Sequence, residues 1–347
     1  MSQSRRSRHG GDLEFAAALL GLWGFPAETD LGPASEQGTN NRTLLVRSGQ
    51  QRYVLRISGF LSVADVQAEH WILRRLRQGD LPLGVPEPVA ALDGRTVIET
   101  AAGPATICRW LPGVRPAMDG DAAFERFGMA AGLLGVALAD VPLGNAQRDW
   151  RTDPRLVRPE DAPVDVLCGQ LRSAGMSIEQ AELLAAAADR AGRWWPGAHG
   201  LPAQVIHGDL APSNVLADPD TGEITGLLDF ELAGAGFWAQ DVLAALYNSA
   251  ALRTADWQRR SSAFLRGCAA VRRLGPAEVA ALPELLIARA LGSVLWRAAR
   301  WKARLGHLDE VTAHAGRLGA TMRWLAANGD VFLAVATAAN ASSWSRV

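Results

Sequence analysis

Apolar residues recur with two periods along the chain, and the change from one to the other divides it. Leu13, Ala17 and Leu20 stand at helical spacing, which predicts an amphipathic helix over about Asp12 to Trp23. The segments Arg42–Arg47 and Gln51–Ile57 read instead as strands flanking a Ser48-Gly49-Gln50 turn. In the second strand Tyr53, Leu55 and Ile57 alternate with Arg52, Val54 and Arg56, so the two sets point to opposite faces. Glu69, Ile72, Leu73 and Leu76 then follow at i, i+3, i+4 and i+7, which puts a carboxylate on the apolar stripe of a helix. A charge in that place needs a partner, and Arg56 is the candidate.

After the extended connector Leu81–Pro88, the runs Val89–Leu92 and Thr96–Thr100 flank an Asp93-Gly94 turn and predict a hairpin, for a sheet of about five strands. From about Asp119 the chain is alanine-rich and helical, with one interruption. There Val205-Ile206 reads as a short buried strand, followed by a loop that Pro212 keeps irregular. Asn214–Ala217 and Ile224–Leu228 form two further apolar runs around the turn residues Asp218–Gly222, a hairpin expected to bring Asn214 and Asp229 together. The tail Ala334–Val347 is small and polar and is expected to be loosely held.

Composition narrows the function classes. With 347 residues, 48% hydrophobic and 20% charged, the chain has ordinary globular usage and room for two lobes. A formal net charge of −1 offers no general field for nucleic acid or an anionic membrane. No continuous run approaches the ~18 apolar residues that a bilayer span requires. Cys108, Cys168 and Cys268 are three and widely separated, which fits neither a disulfide framework nor a zinc cluster, so a reducing cytoplasm is the simplest setting. The histidines do not cluster as metal ligands, and the pattern leaves the oligomeric state open.

The chemistry-bearing stretch is His207-Gly208-Asp209-Leu210-Ala211-Pro212-Ser213-Asn214, followed by Leu228-Asp229-Phe230-Glu231. Phosphoryl transfer has a use for each polar group: one carboxylate accepts the hydroxyl proton, while an amide and a second carboxylate hold the magnesium that bridges the phosphates. The spacing Asp-x-x-x-x-Asn with a later Asp-Phe resembles the aminoglycoside phosphotransferase, choline kinase and type II homoserine kinase superfamily. That resemblance implies an α+β, bilobal protein-kinase-like fold. It would comprise a nucleotide-binding lobe over residues 1–107, a hinge at 108–113 and a catalytic and substrate-binding lobe over 114–347. It makes Asp209 the base, Asn214 and Asp229 metal ligands, and His207 and Asp241 structural supports of the loop. The glycine-containing loop from Gly32 to Asn41, with Gly38, Thr39 and Asn40, would cover the phosphates of ATP. The Arg56–Glu69 pair would position those phosphates, and the backbone of Ile107–Leu111, including Cys108 and Trp110, would meet adenine.

Glu231 stands where protein kinases carry the glycine of Asp-Phe-Gly, and no Ala-Pro-Glu closes an activation segment. A small-molecule hydroxyl substrate is therefore expected, with ATP and Mg2+ as cofactors. The acceptor stays open among an amino alcohol, a hydroxy amino acid such as homoserine and an aminoglycoside-like compound. Arg297, Arg300 and Arg304 offer a face for a carboxylate, while Asp149, Asp153, Glu160, Asp161 and Asp165 offer one for a cationic amine. The alternatives are a nucleotide-binding pseudokinase without turnover and a helical interaction scaffold.

Overall fold

The computed structural model describes residues 15–33, 41–151 and 163–341. It divides into two compact units, Met1–Gly113 with Thr225–Glu231, and Val114–Ile224 with Leu232–Val347.

The first unit opens with a helix over residues 15–20 (α1), which ends in a 3-10 turn, Gly21–Trp23. The strands are β1 (Asp30–Pro33), β2 (Asn41–Ser48), β3 (Gln51–Ser58), β4 (Ile98–Thr100) and β5 (Gly103–Arg109). They form an antiparallel sheet in the order β1-β2-β3-β5-β4. Alternation decides what each face does. Leu55 and Ile57 of β3 join Ala16, Leu20 and Trp23 in the core under α1. Arg56, between them in sequence, lies on the other face and meets the helix α2 (Val63–Gln78). Ser62 starts α2 by accepting from the Asp65 N–H at 3.1 Å, while Asp65 accepts from the Ser62 N–H at 2.9 Å, a reciprocal cap contributing about 1 kcal/mol.

The sheet has five strands, but their membership differs from the sequence reading. Val89–Leu92 is not a strand, because its amides go to separate partners: Val89 to Ile107 O, Ala91 to Arg95 O and Leu92 to Leu22 O. Asp30–Pro33, expected to open as loop at Gly32, is the missing strand. It lies at the sheet edge, where a proline without an N–H costs no ladder bond.

The second unit is mostly helical: α3 (Asp121–Ala139), α4 (Val164–Ser173), α5 (Ile178–Ala198), α6 (Trp238–Asn248), α7 (Trp257–Val271), α8 (Pro276–Lys302) and α9 (Leu308–Ala341). Strands β6 (Ala203–Ile206) and β9 (Gly234–Phe237) pair antiparallel, β7 (Val215–Ala217) is short and buried, and β8 (Ile224–Leu227) passes into the first unit at Thr225. Helices α3 and α7 cross at backbone distance. A Cβ on Gly128 would lie 2.0 Å from Phe264 O, and one on Gly267 2.1 Å from Glu125 O.

By length and composition α3 and α8 could each span a membrane, which counting continuous apolar residues does not register. Over half of each apolar window is buried in the fold, 56% and 61%, and a core helix passes the same test. The tail is also more ordered than its composition suggests. α9 continues to Ala341 because Asn340 closes a pair of bonds with Leu274, accepting from its N–H at 2.8 Å and donating to its O at 2.9 Å.

Candidate active site

In the first unit, Arg56 donates through Nη2 to Glu69 Oε2. The side chains retain only 16% and 5% of their exposure, so neither charge is compensated by water. Burial works against the Arg56 charge, but Glu69 more than offsets it and holds the guanidinium protonated, above its ordinary range. The adjacent residue of α2, His70, is pushed down to about 3, by burial first and then by the positive charges of Arg56 and Arg74. Its Nδ1 meets Thr96 Oγ1 at 2.8 Å, and its buried Nε2 has no partner among the described residues.

Asp229 adopts a left-handed backbone, φ 63°, a region that Asp and Asn tolerate better than other non-glycine residues. Glu231, two residues on, accepts from Asn41 Nδ2 at 2.6 Å. Cys108 is the penultimate residue of β5, where burial pushes its thiol up to about 12. Trp110 follows the strand, its N–H bonded to Arg52 O and its ring beneath the Arg52 guanidinium at 5.5 Å. Gly38, Thr39 and Asn40 lie outside the described residues.

In the second unit the loop after β6 is fixed from the first turn of α6. Asp241 Oδ2 accepts from the His207 N–H at 2.7 Å and Oδ1 from the Gly208 N–H at 2.9 Å. Burial raises the Asp241 carboxyl above its ordinary range, an effect that His207 and the two amides oppose. His207 Nδ1 in turn accepts the Asp209 N–H at 3.3 Å, so this ring holds the loop in shape. Gly208 has φ 80°, and a Cβ there would meet Leu232 O at 2.4 Å, so the turn into Asp209 requires glycine.

Asp209 itself is held by two residues that the sequence reading did not find. Arg289 of α8 donates through Nη2 to Asp209 Oδ1 and reaches Gly208 O through Nη1 at 3.3 Å. Asn248, the last residue of α6, donates to the same Oδ1 at 3.1 Å and to Leu210 O at 3.1 Å. Burial alone would raise the Asp209 carboxyl, but the charge and hydrogen bond of Arg289, together with His207 and the Asn248 bond, outweigh it and keep the group ionised, below its ordinary range. Oδ2 accepts no bond among the described residues, and the side chain keeps 33% of its exposure, enough for a small molecule to reach it. One signal for Arg289 was present in the sequence: a single charge inside the apolar run Ile287-Ala288-Arg289-Ala290-Leu291.

Asn214 turns its amide nitrogen back to Asp209 O at 2.9 Å, which leaves Oδ1, among the described residues, with a long contact from Ser213 Oγ at 3.4 Å. Among the described residues no three His, Cys, Asp or Glu side chains cluster as a metal cage. Magnesium does not need one, since it binds through one or two hard protein oxygens, with phosphate and water completing the shell. The amide oxygen of Asn214 in the second unit and the carboxylate of Asp229 in the first are each a donor of the hard type that this ion takes.

Several residues of the two alternative acceptor faces have partners of their own. Arg297 and Arg300 both stack on the Trp296 ring, at 5.3 and 4.9 Å, but Arg300 is buried and also donates to Leu305 O at 2.7 Å, and Arg304 lies beyond α8 at φ 59°. Asp149 is engaged by Arg151 at 2.6 Å, and Asp165 lies in the first turn of α4. Asp153, Glu160 and Asp161 lie outside the described residues.

Comparison with known proteins gives three kinds of match. A family model described as the phosphotransferase enzyme family matches residues 33–282. A homoserine kinase of Xanthobacter autotrophicus is 30% identical over 76% of this chain and 79% of its own. Among solved structures, a microcompartment-associated aminopropanol kinase aligns with TM-score 0.62 at 20% identity, covering 91% of this chain and 98% of its own. An amicoumacin kinase in complex with AMP-PNP, Ca2+ and Ami aligns with TM-score 0.64 at 19% identity, covering 92% and 96%. At that identity the two structures establish the kinase-like α+β fold.

Proposed function

Because the chain belongs to the phosphotransferase enzyme family and is a phosphotransferase acting on hydroxyl groups, we propose that it transfers the γ-phosphoryl group of ATP, with magnesium, to the hydroxyl of a small hydroxy amino acid, homoserine foremost. The carrying observation is Asp209: an ionised, partly exposed carboxylate with one oxygen clamped and the other free. The homoserine kinase relative supports the acceptor class.

In this reading Asp209 Oδ2 accepts the hydrogen bond of the acceptor hydroxyl and aligns its oxygen with the γ-phosphorus. The new P–O bond forms as the bond to the β-phosphate oxygen breaks. The hydroxyl proton passes to Asp209, and ADP leaves with the bonding electrons. A carboxylate with a lowered pKa is a weak base, which suits a loose transition state in which positioning contributes more than proton abstraction. Arg56, oriented by Glu69, contacts the phosphates through the rest of its guanidinium. Asn214 and Asp229 would each offer magnesium one hard oxygen, and the bound ion would supply neutralisation of charge on the phosphates.

The test is ATP and GTP consumption against a panel of homoserine, aminopropanol, choline and aminoglycosides. Homoserine phosphorylation that is lost on chelation is the expected result. Nucleotide binding without turnover of any acceptor would instead support a pseudokinase. Asp229→Ala and Asn214→Ala are expected to weaken ATP binding only when magnesium is present, and unchanged metal dependence in both would remove them as ligands.

A further inference from the structure

We propose that Arg289 serves two carboxylates, fixing the base Asp209 on one side and reading the carboxylate of the acceptor on the other, so that this side chain selects hydroxy acids over amino alcohols. The inference rests on the phosphotransferase reading above and deepens it to the acceptor's anionic group.

Arg289 rises from the middle of α8 with its bonds directed at one end of the guanidinium. Nη2 serves Asp209 Oδ1 and, at 3.3 Å, Asn248 Oδ1, while Nη1 reaches Gly208 O. Its Nε is buried and has no acceptor among the described residues. A buried guanidinium N–H without an acceptor is costly, and a bound carboxylate would satisfy it with a charge-assisted bond. Asn248 already orients Asp209 from the neutral side, so an amide would suffice if holding the base were the whole task.

Charge points the same way. An acceptor carboxylate brought to Asp209 would meet like charge unless a cation stood between them, and Arg289 occupies that position. Further along α8, Arg297 donates to Ser293 Oγ at 2.9 Å. Its guanidinium is held below its ordinary range by burial first and then by Arg317, and it also feels Arg289, with Glu310 opposing. Arg289 and Arg297 thus stand as two cations on α8 within electrostatic reach of each other, Arg289 paired with Asp209 and also felt by Asp241, and Arg297 opposed by Glu310. In homoserine about 5 Å separates the hydroxyl oxygen from the carboxylate carbon, four bonds at ordinary lengths. An acceptor bonded to the free Asp209 Oδ2 therefore carries its carboxylate a distance matched to the far side of one guanidinium.

The experiment compares kcat/KM for homoserine and for 3-aminopropan-1-ol, the same alcohol without its carboxylate, in wild type and Arg289→Met. Wild type is expected to prefer homoserine. Both substrates lose activity in the variant as Asp209 loosens, but the preference itself falls by about 100-fold, the scale for a site that loses its partner for a charged group. Arg289→Lys, which keeps the charge and loses the planar fork, restores only part of the preference. Equal losses on both substrates would show that Arg289 serves the base alone and would overturn the inference.

Should the variants fail to fold, the wild type still decides, through inhibition by 2-aminobutyrate, which lacks only the hydroxyl, and by propylamine, which lacks the carboxylate as well. At least about tenfold tighter inhibition by the acid is expected, one charge-assisted contact, and equal inhibition overturns the inference. Turnover of homoserine with an unchanged preference in Arg289→Met sinks this inference alone. Turnover of aminopropanol without homoserine sinks both it and the proposed acceptor.

Discussion

His70 provides a pH-dependent test of the first unit that does not depend on any substrate. The ring is buried, its pKa is about 3, and an ordinary histidine in the unfolded chain titrates near 6.5. Between those values the unfolded state binds a proton that the native state refuses, so stability rises with pH and is lost as the pH falls from about 6.5 toward 3. The slope there is about 1.4 kcal/mol per pH unit, so moving from pH 7.5 to 4.5 costs about 2.5 kcal/mol from this group. With an unfolding entropy of about 2.1 cal/mol/K per residue, a chain of this length melting as one unit would lose about 3 °C. The comparison is His70→Asn, whose amide can take the place of Nδ1 toward Thr96 but does not titrate. Urea unfolding followed by tryptophan fluorescence at several pH values gives both curves. The wild type should lose about 2.5 kcal/mol more than the variant across that range, since the shifted His314 and the carboxylates contribute alike to both. Parallel curves would mean that His70 accepts a proton in the folded state, and that the electrostatics of the Arg56 neighbourhood are misread.

Three further outcomes follow from the described contacts. Asp209→Asn should lower kcat by at least about 100-fold with ATP affinity almost unchanged, and near-normal turnover would remove Asp209 from the mechanism. Arg56→Met should raise the KM for ATP or lower kcat by about tenfold, with Arg56→Lys restoring part. It should also destabilise the fold by roughly 3–5 kcal/mol, because Glu69 is left buried and unpaired; unaltered kinetics and melting would place the pair outside both roles. Gly267→Ala should cost about 1–3 kcal/mol by forcing α7 away from Glu125 O, and an unchanged denaturation midpoint would contradict so close a crossing.

Much of this was legible because local pattern and tertiary demand agree. The alternation around Arg56 and the apolar stripe carrying Glu69 are each readable over a few residues, and their union follows from the cost of an unpaired buried charge. The loop at Asp209 announced itself by residue types at fixed offsets. What failed was non-local. Val89–Leu92 has strand composition and a good turn after it, yet no neighbouring edge accepts its full row of amides. The clamp on Asp209 joins residues 80 positions apart, and nothing in the local sequence says which face of α8 meets the loop. Helical spacing grouped Arg297, Arg300 and Arg304, and the first two do meet over Trp296, but the bond of Arg300 to Leu305 O at the end of its own helix is not local to that pattern.

The backbone at Asp229 sets stability and chemistry against each other at a single position. A left-handed φ costs any side chain something and glycine nothing, so Asp229→Gly is expected to relieve strain of about 1 kcal/mol while removing the carboxylate proposed for magnesium. A library sorted only for heat resistance would therefore enrich glycine at this site and discard the enzyme. One sorted for turnover would keep aspartate, the residue that combines tolerance of this conformation with a charged oxygen ligand. Position 229 thus separates selection for persistence from selection for use.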